Sequence, residues 1–163
     1  MTLLEPVILL DIDGVLNPAL NPQRGIDRPL PRLSDMKRTL VRRLSHSGPI
    51  AWVSTWPADM VARLEAQLEL NTEPLRVTMV FRQADGDVPT PKLRSVQRWL
   101  VRMEAAGETS WDSVVWIDDV LGSDAVAWSE EYDQPVCLVR PDPAVGLTEE
   151  YVEQVEAFRS RGA

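Results

Sequence analysis

The polar residues of this chain that could do chemistry stand where short apolar runs end. Residues 7–10 run into Asp11-Ile12-Asp13-Gly14, residues 50–53 into Ser54-Thr55, and residues 114–117 into Asp118-Asp119. In an open parallel sheet, ligands bind beyond the carboxyl ends of the strands. Three such strands would therefore deliver two Asp, a hydroxyl pair and two further Asp to one edge. Four carboxylates gathered there repel one another unless a cation intervenes. An all-oxygen ligand set suits Mg²⁺, a hard ion that keeps waters and often shares a phosphate oxygen with its substrate.

Lys92 adds a positive group. Of 17 basic residues only Lys37 and Lys92 are lysine, and a lysine ammonium is a compact point charge that guanidinium does not replace. Each feature alone has a plainer reading: Asp-Asp or Ser-Thr after a strand starts a turn, and Lys92 decorates a first helical turn. Asp-x-Asp-Gly also occurs in calcium loops, but those need further oxygen ligands and a distal Glu, whereas Val15-Leu16-Asn17-Pro18 follows here. The sole histidine, His46, falls at the end of a helix-like stretch beside Ser47 and Gly48, which argues against zinc or Ser-His-Asp chemistry. The sole cysteine, Cys137, lies in an apolar run and reads as packing.

The elements that must position these groups are legible from periodicity. Five apolar runs, 7–10, 50–53, 77–81, 114–117 and 136–139, are mostly continuous instead of alternating, as in strands buried on both faces of a parallel sheet. Helix-like stretches fall at 33–45, 58–70, 93–106, 123–132 and 149–159, with Ser34 and Thr148 as N-caps. The alternation predicts a three-layer α/β/α sandwich with right-handed crossovers. Residues 17–32, with Pro18, Pro22, Pro29 and Pro31, can be neither helix nor central strand and are expected to form a flap after the first strand. At 163 residues the chain suits one domain, 1–163.

Taken together, the segment Val7-Ile8-Leu9-Leu10-Asp11-Ile12-Asp13-Gly14-Val15-Leu16-Asn17, Ser54 closing an apolar strand, Lys92 at a helix start and Ile117-Asp118-Asp119 resemble the four motifs of haloacid dehalogenase (HAD) phosphatases. Trp52-Val53-Ser54-Thr55-Trp56 and Val115-Trp116-Ile117-Asp118-Asp119 are similar to small bacterial HAD-like proteins without a large cap domain. The resemblance implies a HAD-like Rossmannoid fold with a parallel five-stranded sheet ordered 5-4-1-2-3. It also implies phosphomonoester hydrolysis in which Asp11 becomes a phospho-aspartate and Asp13 serves as acid and then base. Ser54, with Thr55 as the alternative, and Lys92 would hold the phosphoryl oxygens. Mg²⁺ would be bound by Asp11, the backbone carbonyl of Asp13, Asp118 and Asp119, the last directly or through water. Dehalogenases lack the second Asp, so Asp13 argues for phosphoryl transfer.

Two other classes compete. A catalytically silent HAD-like binding or regulatory module would carry the same residues. A response-regulator receiver uses similar groups, but its acidic pair follows strand 1 and its acceptor Asp follows strand 3, an order this chain does not have. The substrate is expected to be a small phosphate ester, a nucleotide or a phosphoprotein. A net charge of −8 repels a polynucleotide backbone and disfavours nucleic acid, although Arg38, Arg42 and Arg43 could cluster on one helix face. No apolar run approaches the ~20 residues of a membrane span, no secretory leader is evident, and one unpaired cysteine fits a cytoplasmic location. Of the tryptophans near the motifs, Trp52, Trp56 and Trp116, core packing is the main expectation, with stacking of Trp56 on a substrate ring as a minor one.

Overall fold

The structure is a computed structural model that describes residues 2–17 and 32–161. Its centre is β1 (Pro6–Leu10), all five residues of which are buried. Successive side chains of a strand point to opposite faces, and here both faces are covered. Val7 and Leu9 enter one apolar cluster, Ile8 and Leu10 the other. The same division splits β2 (Ile50–Trp52) and β4 (Ser113–Ile117), which explains why these strands read as continuous apolar runs.

β1 pairs in parallel with β2 and β4, β2 with β3 (Leu75–Arg76), and β4 with β5 (Val136–Val139). The resulting order, β3-β2-β1-β4-β5, is the one the family resemblance implied. Helices α1 (Asp35–Ser47), α2 (Ala58–Leu68) and α5 (Glu149–Arg161) supply apolar residues to one face of the sheet, and α3 (Leu93–Ala105) and α4 (Ser123–Glu131) to the other. This is the expected three-layer α/β sandwich, and the described residues include no large cap.

Ser34 caps α1, its side chain accepting from Lys37 N, which satisfies one of the free N–H groups of the first turn. The third strand differs from expectation. The apolar run predicts strand over 77–81, but only Leu75 and Arg76 form strand, with Val77 N still donating to Trp52 O at 2.9 Å. β3 is an edge strand, and beyond Val77 the side chains of α3 take over its hydrogen bonding. Val80 N donates to Ser95 Oγ at 2.9 Å, and Arg94 donates to Val80 O at 2.6 Å. The chain thus leaves the sheet to lie on α3. The flap expected at 17–32 falls outside the described residues apart from Asn17 and Arg32.

Candidate active site

Pairing with both neighbours extends one residue past β1. Asp11 N donates to Ile117 O at 3.0 Å, and Val53 N donates to Leu10 O at 2.9 Å. Asp11, Ser54 and Asp118 therefore leave three adjacent strands at one level, beside the switch in strand order at β1 and β4, where open α/β sheets bind ligands. All three are buried: Asp11 and Ser54 are 3% exposed and Asp118 0%.

Lys92 joins them. Its Nζ donates to Asp11 Oδ1 at 2.8 Å, to Asp118 Oδ2 at 3.2 Å and to Val53 O at 3.0 Å, which engages all three ammonium protons. Its place at the start of α3 depends on the preceding turn. There Leu93 N donates to Thr90 O at 3.0 Å, Gly122 N to Thr90 Oγ at 2.7 Å, and Thr90 N to Asp124 Oδ2 at 3.1 Å. Thr90, 1% exposed, so ties the lysine loop to the start of α4.

The electrostatics follow from burial. Removal from water raises the Asp11 pKa, the Asp118 carboxylate raises it further and Lys92 opposes both, leaving it pushed up to about 8. Burial likewise raises Asp118 against the pull of Lys92. For Lys92, burial favours the neutral amine, but Asp118 and Asp11 outweigh it and the net shift is upward.

Asp119 is half-buried and completes a carboxylate cluster. Oxygens of Asp11, Asp118 and Asp119 lie within 4.8 Å of one another. These all-oxygen donors, with more negative charge than one lysine offsets, fit a hard divalent cation. Gly14 makes room for this cluster. Its φ is +79°, and a Cβ there would lie 2.4 Å from Asp119 Cγ, so both conformation and space require glycine.

The Asp13 carboxylate stands apart from the cluster. Its Oδ2 accepts from Trp56 Nε1 at 3.0 Å and its Oδ1 from Asn17 Nδ2 at 3.3 Å. Trp56 N also donates to Ser54 Oγ at 3.0 Å, so the turn after β2 orients a hydroxyl and a carboxylate together. Trp56 is 9% exposed and packs in the core; its ring is not presented for stacking, and its polar edge engages Asp13. The sequence marked Trp56 but not this bond. The available signal was that a buried indole N–H needs an acceptor. Thr55, by contrast with Ser54, is exposed.

The remaining singled-out residues fall away from this edge. Lys37 is buried and donates to the carbonyls of Val145 and Leu147, tying α1 to the loop before α5, and burial lowers its pKa. His46 is exposed near the end of α1. Trp52 is fully buried, with Nε1 on Glu65 Oε1 at 2.9 Å, and Trp116 packs edge-on against Trp128. Cys137 is part-buried against the core, and its thiol is pushed up to about 11 by burial.

A family model described as the HAD domain in Swiss Army Knife RNA repair proteins matches residues 7–152. The match runs from β1 into α5 and includes every residue of the edge just described. No curated protein and no solved structure matches the chain.

Proposed function

This chain belongs to that family, and on that premise we propose that it is a Mg²⁺-dependent phosphomonoesterase acting through a phospho-aspartate on Asp11. The observation that carries the reading is the convergence of Asp11, Asp118 and Lys92 within 3.2 Å contacts, with a second carboxylate, Asp13, held separately by Trp56. Asp11 Oδ1 is engaged by Ile12 N at 2.8 Å and by Lys92, which orients the carboxylate and leaves Oδ2 to attack phosphorus. As the new P–O bond forms, the ester P–O bond breaks and Asp13 gives its proton to the leaving oxygen. Asp13 then takes a proton from water, which attacks phosphorus, releases inorganic phosphate and restores Asp11. Ser54 Oγ already accepts from Trp56 N, so its own proton is available to a phosphoryl oxygen, and Lys92 neutralises charge in the transition state.

Asp11, Asp118, Asp119 and the carbonyl of Asp13 would hold the magnesium. When bound it supplies positive charge that keeps the buried carboxylates ionised and screens them from the phosphoryl group. The family is described as a domain of RNA repair proteins. We therefore favour a terminal phosphate of RNA over the small phosphate ester, nucleotide or phosphoprotein expected from the sequence.

The test is hydrolysis of a generic aryl phosphate by purified protein with Mg²⁺, with EDTA, and with Asp11→Asn. Turnover that needs both the metal and Asp11 is expected. Mg²⁺ binding without any turnover, on either aryl or RNA phosphates, would instead favour a silent binding module.

A further inference from the structure

Two neighbouring clefts that share Thr78 begin at Ser54 and Thr55, beside the proposed site. Ser54 and Thr55 line a cleft of about 390 Å³ with Arg76, Thr78, Met79 and Phe81. Thr78 also lines the next cleft, of about 250 Å³, with Arg98, Trp99, Arg102 and Met103. Phe81 is 48% exposed, on the segment that left the sheet to lie against α3.

Charge is distributed unevenly along the chain. Residues 75–103 contain six basic residues, Arg76, Arg82, Lys92, Arg94, Arg98 and Arg102, and two acidic ones, Asp85 and Asp87. That local balance of +4 leaves −12 for the rest of a chain whose total is −8. Arg94, Arg98 and Arg102 recur every four residues on α3 and so share a face. Arg94 is engaged by Asp85 and Val80 O. Arg98 and Arg102 are exposed and, among the described residues, have no ion pair or hydrogen bond. The other arginine group, on α1, is already neutralised: Arg38 pairs with Asp35, Arg42 with Glu69, and Arg43 with Glu149 and Glu156.

We propose that this strip, from Thr55 and Phe81 to Arg98 and Arg102, seats single-stranded RNA whose terminal phosphate lies at Asp11. The proposal rests on the phosphohydrolase reading and adds where the rest of the substrate runs. An exposed aromatic face beside a phosphate site is a platform for an unpaired base. Unpaired arginines farther along supply charge for successive backbone phosphates. A net-acidic protein can engage RNA in this way where unpaired basic residues line one cleft while the acidic remainder repels the strand elsewhere.

The experiment compares phosphate release from a short oligoribonucleotide bearing a terminal phosphate with that from an aryl phosphate, over a range of salt concentrations. It uses the full chain with Mg²⁺, as wild type, Arg98→Glu/Arg102→Glu and Phe81→Ala. For the double variant, the ratio of RNA to aryl kcat/KM is expected to fall at least about tenfold, with a salt slope shallower by roughly two contacts. A several-fold fall in the same ratio is expected for Phe81→Ala. An unchanged ratio would overturn the strip. So would faster turnover of an acidic phosphopeptide with the same arginine dependence. Aryl turnover with no RNA turnover by the wild type would sink the strip and leave the phosphohydrolase standing; loss of both would sink the two together.

Discussion

Asp13 owes its orientation to two neighbours that sequence motifs do not name. Trp56 Nε1 and Asn17 Nδ2 each hold one carboxylate oxygen, which fixes the orientation of the group proposed for proton transfer. Proton transfer by a positioned group contributes typically ~10²–10⁴-fold, and loosening its position forfeits part of that. Trp56→Phe keeps most of the ring volume in the core and removes the donor. We expect kcat to fall about tenfold with KM little changed. A merely structural role for Trp56 would lower the thermal midpoint and leave kcat of the folded protein unchanged. Steady-state kinetics well below the melting temperature, beside a melting curve, decide between them.

Individual elements hold the site by how they end. β1 stops at Leu10, and the turn that follows must pass close to Asp119. Gly14 permits this through a positive φ and the absence of a side chain. Gly14→Ala combines an unfavourable backbone conformation, costing about 1–3 kcal/mol, with a collision against a carboxylate that lies in the proposed metal cluster. The variant is therefore expected to lose both stability and Mg²⁺ affinity, the second measurable by calorimetric titration. Stability loss with unaltered Mg²⁺ binding would remove Asp119 from the cation site. On the other side, α3 begins where the Thr90 turn leaves Lys92 facing two carboxylates, and its later turns carry the arginines of the proposed RNA strip.

At the scale of the whole molecule, the buried acidic edge opposes folding. The folded-state pKa of Asp11, about 8, exceeds its ordinary value of 3.8, so the folded chain holds this proton more tightly than the unfolded one. Its contribution to stability is fully present below pH of about 4 and is lost as pH rises through about 8. In EDTA, the wild-type midpoint should therefore fall relative to that of Asp11→Asn across this window, and the variant should be the more stable at pH 8. Each kcal/mol is worth about 2–4 °C in a domain of this size. Added Mg²⁺ should narrow the gap at pH 8, since a ligand that binds only the folded state stabilises it. Parallel midpoints from pH 4 to 8 would contradict the assignment of a perturbed Asp11. No helix of the described residues is long and apolar enough to cross a membrane.

By itself the sequence located four of the five strands, the helices and the polar residues at the ends of β1, β2 and β4. Continuous apolar runs mark strands buried on both faces, and a strand that ends in Asp11, Ser54 or Asp118 presents that residue at the sheet edge whatever surrounds it. The order of the strands could be anticipated only through family resemblance, because periodicity records which faces are buried and not which strands are neighbours. Tertiary structure alone decided three matters. The third strand ended early because an edge strand lacks a second neighbour, and Ser95 and Arg94 compete for its backbone. Trp56 became the partner of Asp13 because residues 43 apart in sequence meet only when β1 and β2 pair. The arginines differ in availability because those of α1 face acidic residues on α1 itself, α5 and the end of α2, whereas Arg98 and Arg102 on α3 face a groove. Apart from the Arg38–Asp35 pair within α1, the deciding contacts join residues distant in the chain, which no local pattern encodes.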